Sequence, residues 1–243
     1  MSHTQRLIIL LMLTFVCAAF AQKNLDHVHL FQNFLKDATI TSAPYGEGFL
    51  SYSSHDYGSL FALGAQGGYG INPRLEVNAK LGFVNFSPKN GDGNSGLTDL
   101  TAAGRYLVYD DGALRIAAGG FLTLPIGTDK VGYGNFDFGA FGAARYGLSN
   151  DMIVTGTLGL DFYDAGDKYH NSLVLAGGLI YPYSPQLAII GELMFKTDVD
   201  YGMLSAGVDY TLQNSGRVRG ALGLGIDNGA PDIMLMLSYL TTI

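Results

Sequence analysis

Three features of this 243-residue sequence predict an all-β protein: a transmembrane, antiparallel, up-and-down β-barrel of about 12 strands with a cleaved N-terminal signal peptide. Apolar and polar residues alternate over long segments, which is typical of strands with two different faces. The charges within those segments share the polar parity, as expected of a barrel that turns its charges away from lipid. Tight turns alternate with longer polar links, an asymmetry common in outer-membrane barrels.

The composition excludes several other classes of protein. The chain is 48% hydrophobic and 14% charged, which argues against a disordered protein. A net charge of -7 provides no general attraction to nucleic acid, so we expect no nucleic-acid partner. The single cysteine excludes a disulfide framework and a thiolate metal cluster. No cofactor or metal motif is complete, so we expect neither group.

Residues 1–21 have the layout of a secretory signal peptide. Arg6 precedes an apolar run from Leu7 to Val16, and the small-residue stretch from Ala18 to Ala21 provides a cleavage site. The run is short for a transmembrane helix. We therefore predict export, with a bacterial outer membrane as the destination.

Residues 22–45 form an N-terminal segment that resembles a barrel strand less than the rest of the chain. Leu30, Phe31, Phe34 and Leu35 follow a helix-like spacing. Two interpretations stay open: a short helix that lies in the barrel mouth as a plug or at the membrane face, and a leader without stable structure. Residues 46–243 are assigned to the barrel.

The strand prediction depends on alternation bounded by turn residues. In Tyr201 to Gln213, for example, Leu204 and Val208 share one parity, while Ser205 and Asp209 share the other. Most segments have the length that a tilted strand needs to cross a bilayer. The predicted strands lie near 48–55, 59–71, 74–87, 97–108, 113–124, 136–147, 151–163, 171–183, 186–197, 201–213, 217–227 and 232–243.

The charges on the polar parity are the candidate lining of a lumen. A soluble β-sandwich also alternates, but its polar face would carry many Lys, Glu and Thr, whereas this face is rich in Gly and Ala. Acidic and basic residues are nearly balanced, which favours a narrow interior with paired charges over a wide selective pore. The candidates are Glu76, Lys80, Asp99, Arg105, Arg115, Asp137, Arg145, Asp161, Glu192, Lys196, Asp209, Arg217 and Arg219.

Tyrosines recur on the apolar parity a few residues before each tight turn. An amphipathic ring at this position suits the headgroup region, so we predict an interfacial aromatic girdle. Its members are Tyr69, Tyr106, Tyr146, Tyr181, Tyr210 and Tyr239.

One part of the chain resembles a known family. The sequence Gly96-Leu97-Thr98-Asp99-Leu100 is followed by Leu124-Pro125-Ile126-Gly127-Thr128, and then by Gly132-Tyr133-Gly134-Asn135-Phe136-Asp137 and Gly139. This order and spacing, within Gly96 to Tyr163, resembles the outer-membrane barrels named for the MetA pathway of phenol degradation. The resemblance implies a transporter-like barrel and does not identify its substrate. The chain ends on Thr242-Ile243, where many outer-membrane barrels end on an aromatic residue.

These observations predict passive or facilitated movement of small solutes; the resemblance extends this to apolar or aromatic ones. The expected partners are outer-membrane lipid, the barrel-assembly machinery and a small-molecule solute, with the oligomeric state undetermined. A closed structural or adhesive barrel that acts through its loops is one alternative. A lipid-modifying enzyme is another, since His170 and Ser172 have the spacing of an outer-membrane phospholipase. However, both lie on the lumen parity, so we expect no enzyme.

Overall fold

The computed structural model describes residues 28–129, 131, 135–149, 151–164, 168–213 and 216–243. The predicted signal peptide, residues 1–21, lies outside the described residues, as do residues 22–27. Gly132 and Gly134 of the family-like motif lie outside them as well.

The described chain folds into an antiparallel sheet that closes on itself. Each predicted strand is present, with bounds that differ by a few residues because strand ends depend on pairing partners. The strands are β1 Tyr45–His55, β2 Gly58–Asn72, β3 Leu75–Pro88, β4 Asn94–Leu97, β5 Leu100–Asp110, β6 Leu114–Leu124, β7 Asp137–Gly147, β8 Ile153–Asp164, β9 Tyr169–Pro182, β10 Leu187–Lys196, β11 Tyr201–Thr211, β12 Arg217–Gly225 and β13 Ile233–Thr242.

Strands adjacent in sequence are adjacent in space, and the pairing of β1 with both β13 and β2 closes the barrel. Strands β4 and β5 share one position, because β4 pairs with one half of β3 and β5 with the other. Counted as one interrupted strand, they make a barrel of 12 strands, as predicted. Closure gives each described strand except the short β4 a partner on both sides, and a barrel in lipid requires such pairing because unpaired backbone groups there are costly.

The interruption between β4 and β5 joins two of the family-like motifs. Leu97 and Thr128 are joined by two hydrogen bonds: Thr128 N donates to Leu97 O at 2.9 Å, and Leu97 N donates to the side-chain oxygen Thr128 Oγ1, also at 2.9 Å. Asp99 Oδ1 accepts a hydrogen bond from Gly127 N at 2.8 Å. A side chain at Gly127 would meet this carboxylate, since an added Cβ would lie 2.7 Å from the same oxygen. The two motifs therefore build one loop structure.

The barrel has two different ends. At the short-turn end, the start of β1 lies beside the end of β13, and the strands reverse at 73–74, 111–113, 148–152, 183–186 and 212–216. The loop end contains the longer connections at 125–136 and 226–232. The Asp111 turn shows how a reversal is held: Asp111 Oδ1 accepts hydrogen bonds from Ala113 N and Leu114 N. The Leu114 bond and the Tyr109 hydroxyl lower the pKa of the Asp111 carboxyl.

The outer surface is apolar along the strands. Large aliphatic side chains such as Leu158, Leu175 and Leu222 are exposed there. Five of the six predicted girdle tyrosines are exposed on the same surface, and Tyr146 is half-buried. A soluble protein would not expose an apolar band of this extent, whereas the surface of a bilayer-spanning barrel requires one.

Among the described residues, no helix has both the length and the apolar character needed to cross a membrane.

A charge placed on this outer surface is expected to destabilise the barrel in a depth-dependent way. Leu222 pairs with Ala206 at the middle of β11, whereas Ile226 follows the end of β12. We expect Leu222→Arg to lower the free energy of unfolding by about 2–4 kcal/mol and Ile226→Arg by about 0–1 kcal/mol. Urea unfolding in phospholipid vesicles measures both. Equal losses at the two positions would contradict the bilayer-spanning arrangement.

Candidate functional site

The interior of the barrel is occupied by the chain's own N-terminal segment. Residues 28–44 start beside the 183–186 turn, pass through the lumen and return to β1 at the short-turn end. The helix allowed by the spacing of Leu30, Phe31, Phe34 and Leu35 does not form: the described residues contain turns at 32–35 and no helix. A barrel carboxylate instead binds N–H groups of residues 31–33.

That carboxylate belongs to Glu192 of β10. Its Oε1 accepts a hydrogen bond from Phe31 N at 2.6 Å, and its Oε2 accepts from Gln32 N at 3.0 Å and Asn33 N at 3.4 Å. Glu192 is buried, so these bonds replace the water that an ionised carboxylate would otherwise need. Glu192 therefore holds the tip of the segment through its backbone.

Arg219 of β12 is the centre of a second anchor. Its guanidinium is fully buried and donates to Glu47 Oε1 at 2.6 Å and to Asp209 Oδ2 at 3.0 Å. It also donates to the carbonyl oxygen of His29 and lies 4.4 Å from the centre of the Phe31 ring. One buried cation thus joins strands β1, β11 and β12 to the inserted segment.

Arg105 of β5 forms a third anchor near the short-turn end. It pairs with Glu76 of β3 and donates to the carbonyl oxygens of Phe34 at 3.3 Å and Asp37 at 3.2 Å. The other oxygen of Glu76 accepts a hydrogen bond from Thr41 N at 2.7 Å. The returning half of the segment is therefore bonded to both members of a buried ion pair.

Two ion pairs connect charges of the segment directly to the wall. Asp37 pairs with Arg145 of β7, whose Nε lies 2.9 Å from Asp37 Oδ2. Arg145 also donates to the carbonyl oxygen of Val28 at 2.7 Å. Lys36 Nζ lies 2.7 Å from Asp161 Oδ1 of β8 and 3.9 Å from the centre of the Phe121 ring.

Glycines on the inner surface make room for the segment. The Phe31 ring lies on Gly207 of β11, where an added Cβ would be 2.5 Å from Phe31 Cε2. At Gly70 of β2, an added Cβ would be 2.3 Å from the carbonyl oxygen of Thr41. The glycine-rich polar parity seen in the sequence therefore corresponds to a wall against which a second layer of chain packs.

The remaining predicted lumen residues lie outside these anchors. Arg217 bonds Asp209 beside Arg219, and Arg115 pairs with Asp110 near the short-turn end. Asp99 and half-buried Asp137 lie at the loop end. Lys80 and Lys196 face a cavity of about 270 Å³ between the segment and the loop end, lined by Phe31, Gln32, Phe49, Ser51, Gln66, Lys80, Met194, Lys196, Tyr201, Met234 and Met236.

Three charged residues of this network are not among the predicted lumen residues: Lys36, Asp37 and Glu47. Glu47 precedes the predicted start of the first strand at 48, although the alternation of Tyr45, Glu47 and Phe49 could have extended it. Lys36 and Asp37 lie in the inserted segment, where no strand periodicity applies. No sequence signal could have placed those two against Asp161 and Arg145, because these contacts join residues more than 100 positions apart.

The phospholipase-like pair lacks access to lipid. Ser172 is buried on the inner side of β9, and its Oγ accepts a hydrogen bond from Asp198 N at 3.3 Å. His170 Nδ1 lies 3.2 Å from Asp198 Oδ2. A serine nucleophile must reach its substrate, and this one points away from the bilayer. Within the described part of the chain, no three His, Cys, Asp or Glu residues are grouped to hold a metal ion.

Comparison with solved structures finds similar barrels. An outer-membrane channel from Pseudomonas putida F1 superimposes with a TM-score of 0.67 at 16% identity, over 86% of this chain and 98% of that one. The KdgM porin gives 0.57 at 11% identity, over 81% and 99%. The toluene transporter TbuX of Ralstonia pickettii gives 0.51 at 9% identity, over 85% and 91%. No family model and no curated protein matches the sequence. At these identities the likeness shows a shared fold.

The Arg219 anchor generates a stability prediction. Arg219→Met would leave Glu47 and Asp209 buried with fewer cationic partners, and breaking such a pair costs about 3–5 kcal/mol. The matched control is Arg74→Met in an exposed turn, which should change stability by less than about 0.5 kcal/mol. Urea unfolding measures both. A loss below about 1 kcal/mol for Arg219→Met would show that the cluster is not a structural anchor.

Proposed function

We propose that this protein is an outer-membrane channel or transporter for small solutes, whose lumen is closed by the inserted segment of residues 28–44. One observation carries the proposal: a barrel with an apolar outer surface encloses a cavity that opens toward the loops and ends on this segment. The segment contacts the wall through ionic and hydrogen-bonding groups and through buried apolar side chains such as Leu30, Phe31 and Phe34. A passage for small solutes would open where it moves.

Three further observations support this function. The similar solved structures are described as an outer-membrane channel, a porin and a toluene transporter. The sequence motifs around Asp99 and Gly127 resemble barrels of the MetA-pathway family, and we assign this chain to that kind of transporter. Twelve strands enclose more space than an eight-stranded barrel filled by side chains and less than an open porin of sixteen to eighteen.

The width and the charge of the lumen define the expected solutes. Buried acids and bases are paired across the short-turn half, so a strongly ion-selective, permanently open pore is not expected. Passage is therefore passive or facilitated and limited to small molecules, including apolar or aromatic ones. A closed structural barrel that acts through its loops is the competing function, favoured by the filled lumen.

Loosening the segment separates these two functions. Asp37→Asn removes the buried carboxylate that pairs with Arg145, and Glu192→Gln removes the charge that binds the tip. Either change weakens the binding of the segment to the wall and so favours the state in which the segment is displaced. A loss of about 1.4 kcal/mol in that binding corresponds to a tenfold change in population, so we expect the open probability of the channel to rise at least about tenfold. Single-channel recording in planar bilayers, on protein purified from outer membranes of a Gram-negative host, measures this.

The control is Asp92→Asn, which removes the same charge from an exposed loop and should conduct like the unaltered protein. Heat-modifiable migration in gels verifies that each variant is folded. If the folded protein and both variants stay silent, the channel function is wrong and a structural barrel remains. If all conduct equally, the pore is real but the segment is not its plug.

A further inference from the structure

The cavity above the inserted segment has an unusual electrostatic environment. Most basic groups of the lumen have a carboxylate partner, such as Arg105 with Glu76 and Arg217 with Asp209. Lys80 of β3 has no carboxylate within ion-pair distance among the described residues. Its Nζ instead lies 5.0 Å from the centre of the Phe49 ring, and its side chain is exposed to the cavity.

A second lysine adds to this excess of positive charge. Lys196 of β10 lines the same cavity, and its Nζ is 3.8 Å from Asp161 Oδ2. Asp161, however, bonds Lys36 at 2.7 Å and 2.9 Å, so one carboxylate is shared by two ammonium groups. Among the described residues, no carboxylate lines the cavity. Because its walls are of low dielectric, the field of the unneutralised charge is concentrated inside it.

The rest of the wall combines an apolar, adaptable part with the polar side chains of Gln32, Ser51, Gln66 and Tyr201. Phe49 is buried against Gly64, where an added Cβ would lie 2.3 Å from the Phe49 ring, so the ring is held in place. Met194, Met234 and Met236 lie around the same space, and unbranched thioether side chains adjust to ligands of different outline. The volume of about 270 Å³ is close to the lower limit of small-molecule sites, about 300 Å³.

A ligand that matches this wall must carry one negative group and an apolar body. We propose that the cavity is a binding site for a small organic carboxylate, with its carboxylate at Lys80 and Lys196 and its apolar part against Phe49 and the three methionines. A neutral hydrocarbon would leave the lysines uncompensated, and an inorganic anion would leave the apolar wall uncovered. The site deepens the proposed function, on which it rests, by naming the class of solute.

Equilibrium dialysis with labelled benzoate tests the site on the detergent-solubilised protein purified from outer membranes. Benzamide has the same shape without the charge, and acetate has the charge without the ring. We expect both to compete at least about tenfold less well than unlabelled benzoate, since a charged hydrogen bond and an apolar contact each contribute on the order of 1.5 kcal/mol.

Lys80→Met removes the charge and keeps an unbranched side chain, so it should weaken benzoate binding at least about tenfold. The matched control is Lys89→Met in an exposed loop outside the cavity, which should bind like the unaltered protein. Equal binding by the Lys80→Met variant, equal competition by benzamide, or no retained benzoate would each overturn the site.

The binding site and the channel function can be refuted independently of each other. Benzoate bound by a protein that never conducts would leave the site intact and refute the channel. A conducting protein that retains no benzoate would leave the channel intact and refute the site.

Discussion

The structure depends on one constraint: a charge that is buried inside a narrow closed barrel must find its partner inside that barrel. The outer surface faces lipid and cannot accept a charge without a large cost. The inner surface has room for little water, so a buried guanidinium or carboxylate must be neutralised by neighbouring groups. Arg219, which contacts Glu47, Asp209 and the His29 carbonyl, shows how the interior meets this demand.

The inserted segment follows from the same constraint. The segment provides a partner for each of three charges on the wall. Its backbone N–H groups bond Glu192, the carboxylate of Asp37 pairs with Arg145, and the ammonium of Lys36 pairs with Asp161. Glycines such as Gly207 provide the space. The segment also packs apolar side chains against the wall, with Leu30 and Phe31 in one buried cluster and Phe34 in another.

Charge pairing also divides the lumen into two different regions. The short-turn half is neutralised by the pairs around Arg105, Arg219 and Arg145 and is filled by chain. The loop half keeps positive charge at Lys80 and an apolar wall at Phe49, beside open space. Under the proposed function, a solute that enters from the loops would meet this cavity before it reaches the inserted segment.

By itself the sequence determined the barrel, because alternation, charge parity and turn spacing are local properties, and lipid imposes them on every strand. It also placed residues such as Glu76, Arg105 and Arg219 on one parity. It did not determine the carboxylate that each base contacts, since Arg105 meets Glu76 only through the pairing of β3 with β5. The course of residues 28–44 was likewise decided by tertiary structure: the helix-like spacing of the segment does not produce a helix, and carboxylates and guanidinium groups from distant strands bind its backbone.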